Sequence, residues 1–120
     1  MVPAQRDPQL LKGVLPMLVL ALLAERESYG YELVDRLSDA GLVDVATGTL
    51  YPVLSRLERD DLVASRLVAS PAGPARKYYR PTPAGHAHLT GADAAWRDLV
   101  AVVQHVMPTT PAAGPDDTQE

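Results

Sequence analysis

Residues 46–62, ATGTLYPVLSRLERDDL, define a short helix and its end within a single stretch. Leu50, Val53, Leu54 and Leu57 fall at i, i+3, i+4 and i+7, one stripe of a 3.6-residue helix, and such a stripe has to be buried. The opposite face gathers Gly48, Thr49, Pro52, Ser55, Arg56 and Arg59, with Tyr51 at its edge, and holds no acid. Thr47 or Thr49 can cap the helix, which places Pro52 in or just beyond the first turn, where a missing N–H costs least. From Leu62 the period changes: LVASRLVA, SPAGPA and RKYYRPT read as two strands joined by a turn rich in Pro and Gly. A short helix running straight into a two-stranded ribbon cannot enclose a core alone, so the flanking segments decide the fold.

Upstream lies VLPMLVLALLA, the apolar run Val14–Ala24, read as a helix from about Leu15 to Glu25 with Pro16 in its first turn. Preceded by Lys12 and Arg6, it has the look of a signal-peptide core, but it is short of the roughly 20 residues a membrane span needs. A buried internal helix accounts for it, and a cytoplasmic protein with no membrane partner is expected. Ser28 is a plausible N-cap for a second helix through Tyr31, Leu33, Val34, Leu37 and Ala40, closed by Gly41. Downstream, Thr82-Pro83 starts a long helix reaching about Met107. The expected organisation is a flexible arm over 1–9, a winged helix-turn-helix over 10–82, a dimerisation helix over 83–107 and a disordered acidic, proline-rich tail over 108–120. The fold class is mainly α with a small β-hairpin.

Charge is distributed unevenly. The chain of 120 residues has a net charge of −4. Residues 1–45 carry four bases and seven acids, 46–80 six bases and three acids, and 81–120 one base and five acids. The basic middle third coincides with the third helix and the ribbon, the two elements a DNA binder of this fold presents, and local positive surface governs phosphate binding. A three-helix fold without DNA function is the competing reading. There is no cysteine, so disulfides, thiolate metal sites and cysteine nucleophiles are excluded.

SYGYELVDRL, GTLYPVLSRLERDDLV and RKYYRPTPAG together resemble the signature segments of PadR-type transcriptional regulators, over roughly residues 10–107. The single C-terminal helix resembles the small subfamily. That resemblance implies a homodimeric repressor that binds palindromic operators in double-stranded DNA and is released by a small molecule. Two positions depart from the family pattern: Asp61 stands where glycine is usual, and Pro81 where an aliphatic residue is usual. Asp tolerates the left-handed conformation, so the turn is expected to survive, while Pro81 suggests an edge position and a shorter ladder.

The candidate DNA contacts are Thr49, Tyr51, Ser55, Arg56 and Arg59 on the third helix, Tyr31 on the second, and Arg76 and Lys77 on the wing. Each arginine and lysine is either a phosphate contact or a solvated charge, and Tyr29, Tyr78 and Tyr79 can serve as packing residues. Asp60 and Asp61 place most DNA contact in the N-terminal half of the third helix. On the long helix, Leu89, Ala95, Trp96, Leu99, Val102, Val103 and Val106 form the expected dimer interface, a stripe a domain this small has no surface left to cover. By the resemblance, Trp96 stacks on flat aromatic effectors, with Ala92, Asp93 and Val100 beside it and Leu15, Leu18 and Val19 as the opposite wall; an ordinary dimer-core role is the alternative. No enzyme activity, metal or cofactor is expected: His86 and His88 point to different sides of a helix, His105 is remote, and no phosphate loop or activated nucleophile is present. A metal-responsive regulator and a protein-binding winged-helix adaptor stay open as alternatives.

Overall fold

A computed structural model of the chain describes residues 7–108. Its elements in order are α1 (Pro8–Glu25), β1 (Ser28–Tyr29), α2 (Gly30–Asp39), α3 (Thr47–Arg59), β2 (Val63–Ser70), β3 (Gly73–Pro81) and α4 (Pro83–Val106). The strands form one antiparallel sheet in the order β1-β3-β2. This is a winged helix-turn-helix followed by a long helix. The chain divides into two compact units after Thr90, inside α4. The first turns of α4 therefore belong with the elements before them: Gly85 is buried and Leu89 packs against the first unit's core.

That core is aliphatic. Leu15, Val19, Leu20 and Leu23 of α1 meet Leu33 and Leu37 of α2, Leu50, Leu54 and Leu57 of α3, and Val63 and Tyr79 of the sheet. The stripe on α3 is buried as its spacing requires, with Val53 half-buried at its margin. Among the described residues α1 is the one helix long and apolar enough to cross a membrane, by length and composition. Four of its residues, Leu15, Val19, Leu20 and Leu23, are buried in the core.

Several local expectations are corrected. α1 begins at Pro8, not near Leu15, because Asp7 caps it by accepting from the Gln9 N–H at 2.8 Å with Pro8 in the first turn. Pro16 consequently lies mid-helix, and Pro8 and Gln9 belong to the helix and not to an arm. The rest of the proposed arm, 1–6, and the proposed tail from 109 onward lie outside the described residues. Ser28 does not cap α2. It is drawn into β1, pairs with Tyr79, and its buried hydroxyl accepts from Arg36 Nη1 at 2.9 Å; the N-cap is Tyr29. α3 is capped by Ala46 without a side-chain bond, so neither threonine plays that part, while Pro52 sits just past the first turn as expected.

The turn between the wing strands is shorter than SPAGPA suggests. Ser70 pairs with Gly73, so Gly73, Pro74 and Ala75 belong to β3. Pro81 does not mark an edge strand, since β3 is central, and the ladder is not cut short: Val63 pairs with Pro81, and the Thr82 N–H reaches the Leu62 carbonyl at 3.0 Å. Successive N–H groups point to opposite edges, so the one Pro81 lacks would have faced the side where β1 has already ended.

Asp61 adopts φ 62°, the left-handed conformation expected of it. It completes a Schellman closure of α3, with Leu62 N–H on the Leu57 carbonyl at 2.9 Å and Asp61 N–H on the Glu58 carbonyl at 3.0 Å. Gly41 closes α2 the same way, at φ 114°. The Asp61 carbonyl accepts from Thr82 Oγ1 at 2.7 Å, and that hydroxyl also accepts from the Gly85 N–H at 3.0 Å, so one side chain caps α4 and anchors the exit of α3.

Candidate nucleic-acid interface

With Leu50, Leu54 and Leu57 facing the core, the 100° step of the helix places Gly48, Pro52, Ser55 and Arg59 at the centre of its exposed side. Tyr51 and Glu58 fall on the flank toward the wing, and Thr49 and Arg56 on the flank toward α1. The five residues expected to contact DNA from α3 are all exposed, but they occupy three directions instead of one row.

The wing-side flank borders a cleft of about 620 Å³ lined by Tyr29, Gly30, Tyr31, Tyr51, Arg76 and Lys77 among others. Three elements meet here: the start of α2, the first turns of α3, and the wing. The structure thus brings together Tyr31, Tyr51, Arg76 and Lys77, which are scattered in sequence. Gly30 makes this possible. A Cβ there would lie 2.4 Å from the Tyr51 hydroxyl oxygen, so the bare backbone lets the Tyr51 ring lie across the start of α2. Tyr31 is 65% exposed and Tyr51 40%, with the Tyr51 hydroxyl end lying against Gly30.

The cations divide sharply by their partners. Arg76 stacks 4.7 Å from the centre of the Tyr29 ring, which itself meets Tyr78 edge-on at 5.2 Å. Arg66 lies 5.9 Å from the Tyr78 ring and forms an ion pair with Glu27, which holds that carboxyl below the usual glutamate range. Lys77 pairs with Glu58 at 3.0 Å. The Ser65 hydroxyl, donating at 2.6 Å, and then Lys77 keep the Glu58 carboxyl below its ordinary value, and the same carboxylate raises the lysine. Arg56, Arg59, Arg76 and Arg80 make no ion pair among the described residues. The open positive charge near α3 is therefore carried by arginines and by Lys12 of α1, while Lys77, expected beside Arg76 as a DNA contact, pairs with Glu58. The helical step turns Glu58 toward the wing, but its partners Ser65 and Lys77 lie on two strands that local sequence does not bring to it.

On the other flank, Thr49 and Arg56 look into a groove of about 600 Å³ whose far wall is Leu11, Lys12, Leu15 and Pro16 of α1. Of the expected ligand wall, Val19 is enclosed and Leu15 reaches only the floor of this groove between α1 and α3. Leu15 and Val19 are 1% and 0% exposed and sit inside the first unit's core, leaving Leu18 half-buried. Leu89, expected at a dimer interface, is half-buried and packs partly on that core. Tyr79 is a core residue, 4% exposed.

In the second unit, α4 carries Trp96, Leu99, Val103 and Val106 along one exposed stripe, with Val102 beside it and Ala92 and Val100 half-buried. Asp93 accepts from Arg97 Nε at 3.0 Å, so these two charges satisfy each other one turn apart. Among the described residues no three of His, Cys, Asp or Glu gather as a metal site.

The profile of the transcriptional regulator PadR-like family matches residues 19–91. The transcriptional regulator Rv3488 of Mycobacterium tuberculosis is 47% identical over 74 residues, covering 60% of this chain and 65% of that protein. An uncharacterised protein of Lysinibacillus sphaericus is 29% identical over 100 residues, 82% of this chain and 92% of that one. Among solved structures, a PadR family transcriptional regulator from Eggerthella lenta superposes with a TM-score of 0.76 at 39% identity, covering 85% of this chain and 88% of that one. A PadR-like transcriptional regulator from Bacillus cereus gives 0.75 at 35% identity, covering 85% and 99%. The match of the family profile across more than half the chain, on the helices and wing that build this cleft, means that the chain belongs to the PadR-like family of transcriptional regulators.

Proposed function

We propose that the protein is a homodimeric repressor that binds a palindromic operator through α3 and the wing and is released by a small aromatic or apolar effector. The observation that carries the DNA face is the set of open arginines, Arg56 and Arg59 on α3 and Arg76 on β3, bordering the exposed face that holds Thr49, Ser55 and Tyr51. Arginine is the side chain suited to phosphate forks and to guanine edges, and the tyrosine hydroxyls of Tyr31 and Tyr51 add donors for phosphate. Asp60 and Asp61 repel phosphate beyond the end of α3, so Arg59 is the last residue of the helix in the proposed contact face. A dimer with its two recognition helices one helical turn apart would read two half-sites.

The test is an electrophoretic mobility shift on the DNA upstream of the protein's own gene across a salt series. Arg56→Ala combined with Arg59→Ala is expected to flatten the dependence of log affinity on log salt by about 1.8, near 0.9 for each lost phosphate contact. Both side chains are exposed, so the thermal midpoint should hold. An unchanged slope would show that α3 does not face the backbone.

Trp96 supports the effector part of the reading. It is the only tryptophan, 40% exposed on α4, with Ala92 and Val100 a turn away on either side. Planar apolar compounds should quench its fluorescence saturably, and compounds that do so should weaken the mobility shift. A broad panel with no saturable quenching would leave Trp96 as a packing residue.

A further inference from the structure

We infer that Glu58 is a built-in counter-ion that ties the wing to the recognition helix and keeps Lys77 off the DNA backbone; this rests on the DNA-binding reading above. Glu58 lies in the last turn of α3, and its two oxygens are taken by two different strands. Oε1 accepts from Lys77 Nζ of β3 at 3.0 Å, and Oε2 accepts from Ser65 Oγ of β2 at 2.6 Å. Lys77 is held from a second side as well, its ammonium 5.5 Å from the centre of the buried Tyr79 ring. Among the described residues the neighbouring cation Arg76 meets an aromatic ring, Tyr29, and no carboxylate. Two cations adjacent in sequence therefore differ in kind: Arg76 brings a net positive charge to the cleft, and the Lys77–Glu58 pair brings none.

The pair is stable against DNA for an electrostatic reason. If Lys77 turned to a phosphate, Glu58 would be left uncompensated beside a polyanion, so the exchange neutralises one negative charge and exposes another. A lysine in this position releases no counterion on binding and adds nothing to the salt slope.

The experiment is a salt-dependent binding series on one operator duplex with Glu58→Gln, Lys77→Gln and the double variant. Glutamine keeps an oxygen for Ser65 but carries no charge to hold the lysine. Glu58→Gln is expected to steepen the slope by about 0.9, so that dilution from 200 to 50 mM salt gains about 3.5-fold more affinity than in the wild type. Lys77→Gln alone should leave the slope where it is, and the double variant should return to the wild-type slope. A Glu58→Gln slope equal to or below the wild type, a drop of about 0.9 in Lys77→Gln, or a double variant that stays steep would each overturn the inference. A wild-type protein that binds duplex DNA with these outcomes loses only the counter-ion; one that binds no duplex at all overturns the DNA-binding reading and this inference together.

Discussion

Replacing Gly85 by alanine is expected to lower the unfolding free energy by about 3 kcal/mol. A Cβ at this position would lie 1.9 Å from the Leu62 carbonyl oxygen and 3.0 Å from its carbon. Both are backbone atoms, so no side chain can swing aside. Moving Leu62 would strain the Schellman closure of α3 and pull the carbonyl from the Thr82 N–H, which it accepts at 3.0 Å. The same short segment joins the recognition helix, the wing and α4, so the displacement would spread to all three. Overpacking typically costs about 1–3 kcal/mol, and each lost hydrogen bond about 1 more. For a domain of this size the melting temperature should fall by roughly 10–20 °C. Gly13→Ala is the control. Nothing lies within 4 Å of a Cβ there, and the residue is exposed inside α1, so alanine should stabilise by about 0.5–1 kcal/mol. If thermal and urea denaturation show the two variants to be equally stable, the packing of α4 against the exit of α3 is not as described.

Gly85 also illustrates what the sequence could and could not disclose. The T-P-A-G pattern marks a helix start, and Thr82 does cap α4, but the reason for glycine is a carbonyl more than twenty residues upstream. No local periodicity carries that distance. The same limit explains the other gaps. Three helices, a ribbon and a long helix were legible because Leu50, Val53, Leu54 and Leu57, or Val102, Val103 and Val106, repeat at helical spacing. β1 was not, since two residues have no period, and the ladder to Tyr79 outcompeted the cap that Ser28 offers locally. The early start of α1 was hidden because Asp7 and Pro8 sit in a polar stretch that reads equally well as an arm. At the candidate site, the exposed face of α3 could be assigned from angles alone, whereas the split between open arginines and occupied Lys77 depends on where Glu58 and Ser65 meet in space. Side-chain pairing across elements is a tertiary fact, and composition gives only its total charge.

Leu99→Asp combined with Val103→Asp is expected to convert the proposed dimer into a folded monomer that no longer shifts its operator at concentrations where the wild type does. Leu99 is 53% and Val103 46% exposed, on the same stripe of α4 as Trp96 and Val106. An apolar stripe of this length facing water is costly, and association is the physical way to cover it. A two-fold interface loses each substituted side chain twice, so four apolar side chains vanish from it. At about 1.5 kcal/mol each, that is roughly 6 kcal/mol, or about a 10⁴-fold weaker association, before the repulsion of four carboxylates is counted. The first unit should be untouched, because its core of Leu15, Leu20, Leu33 and Leu54 contains neither position. Sedimentation equilibrium would read the loss of mass, and circular dichroism the retained helix. Loss of operator binding would follow from geometry: a monomer presents one recognition helix to a two-half-site operator and forfeits the gain of linking the second contact to the first. A variant that still sediments as a dimer would show that α4 covers its stripe by other means, and would remove the basis for placing an effector beside Trp96 at a subunit boundary.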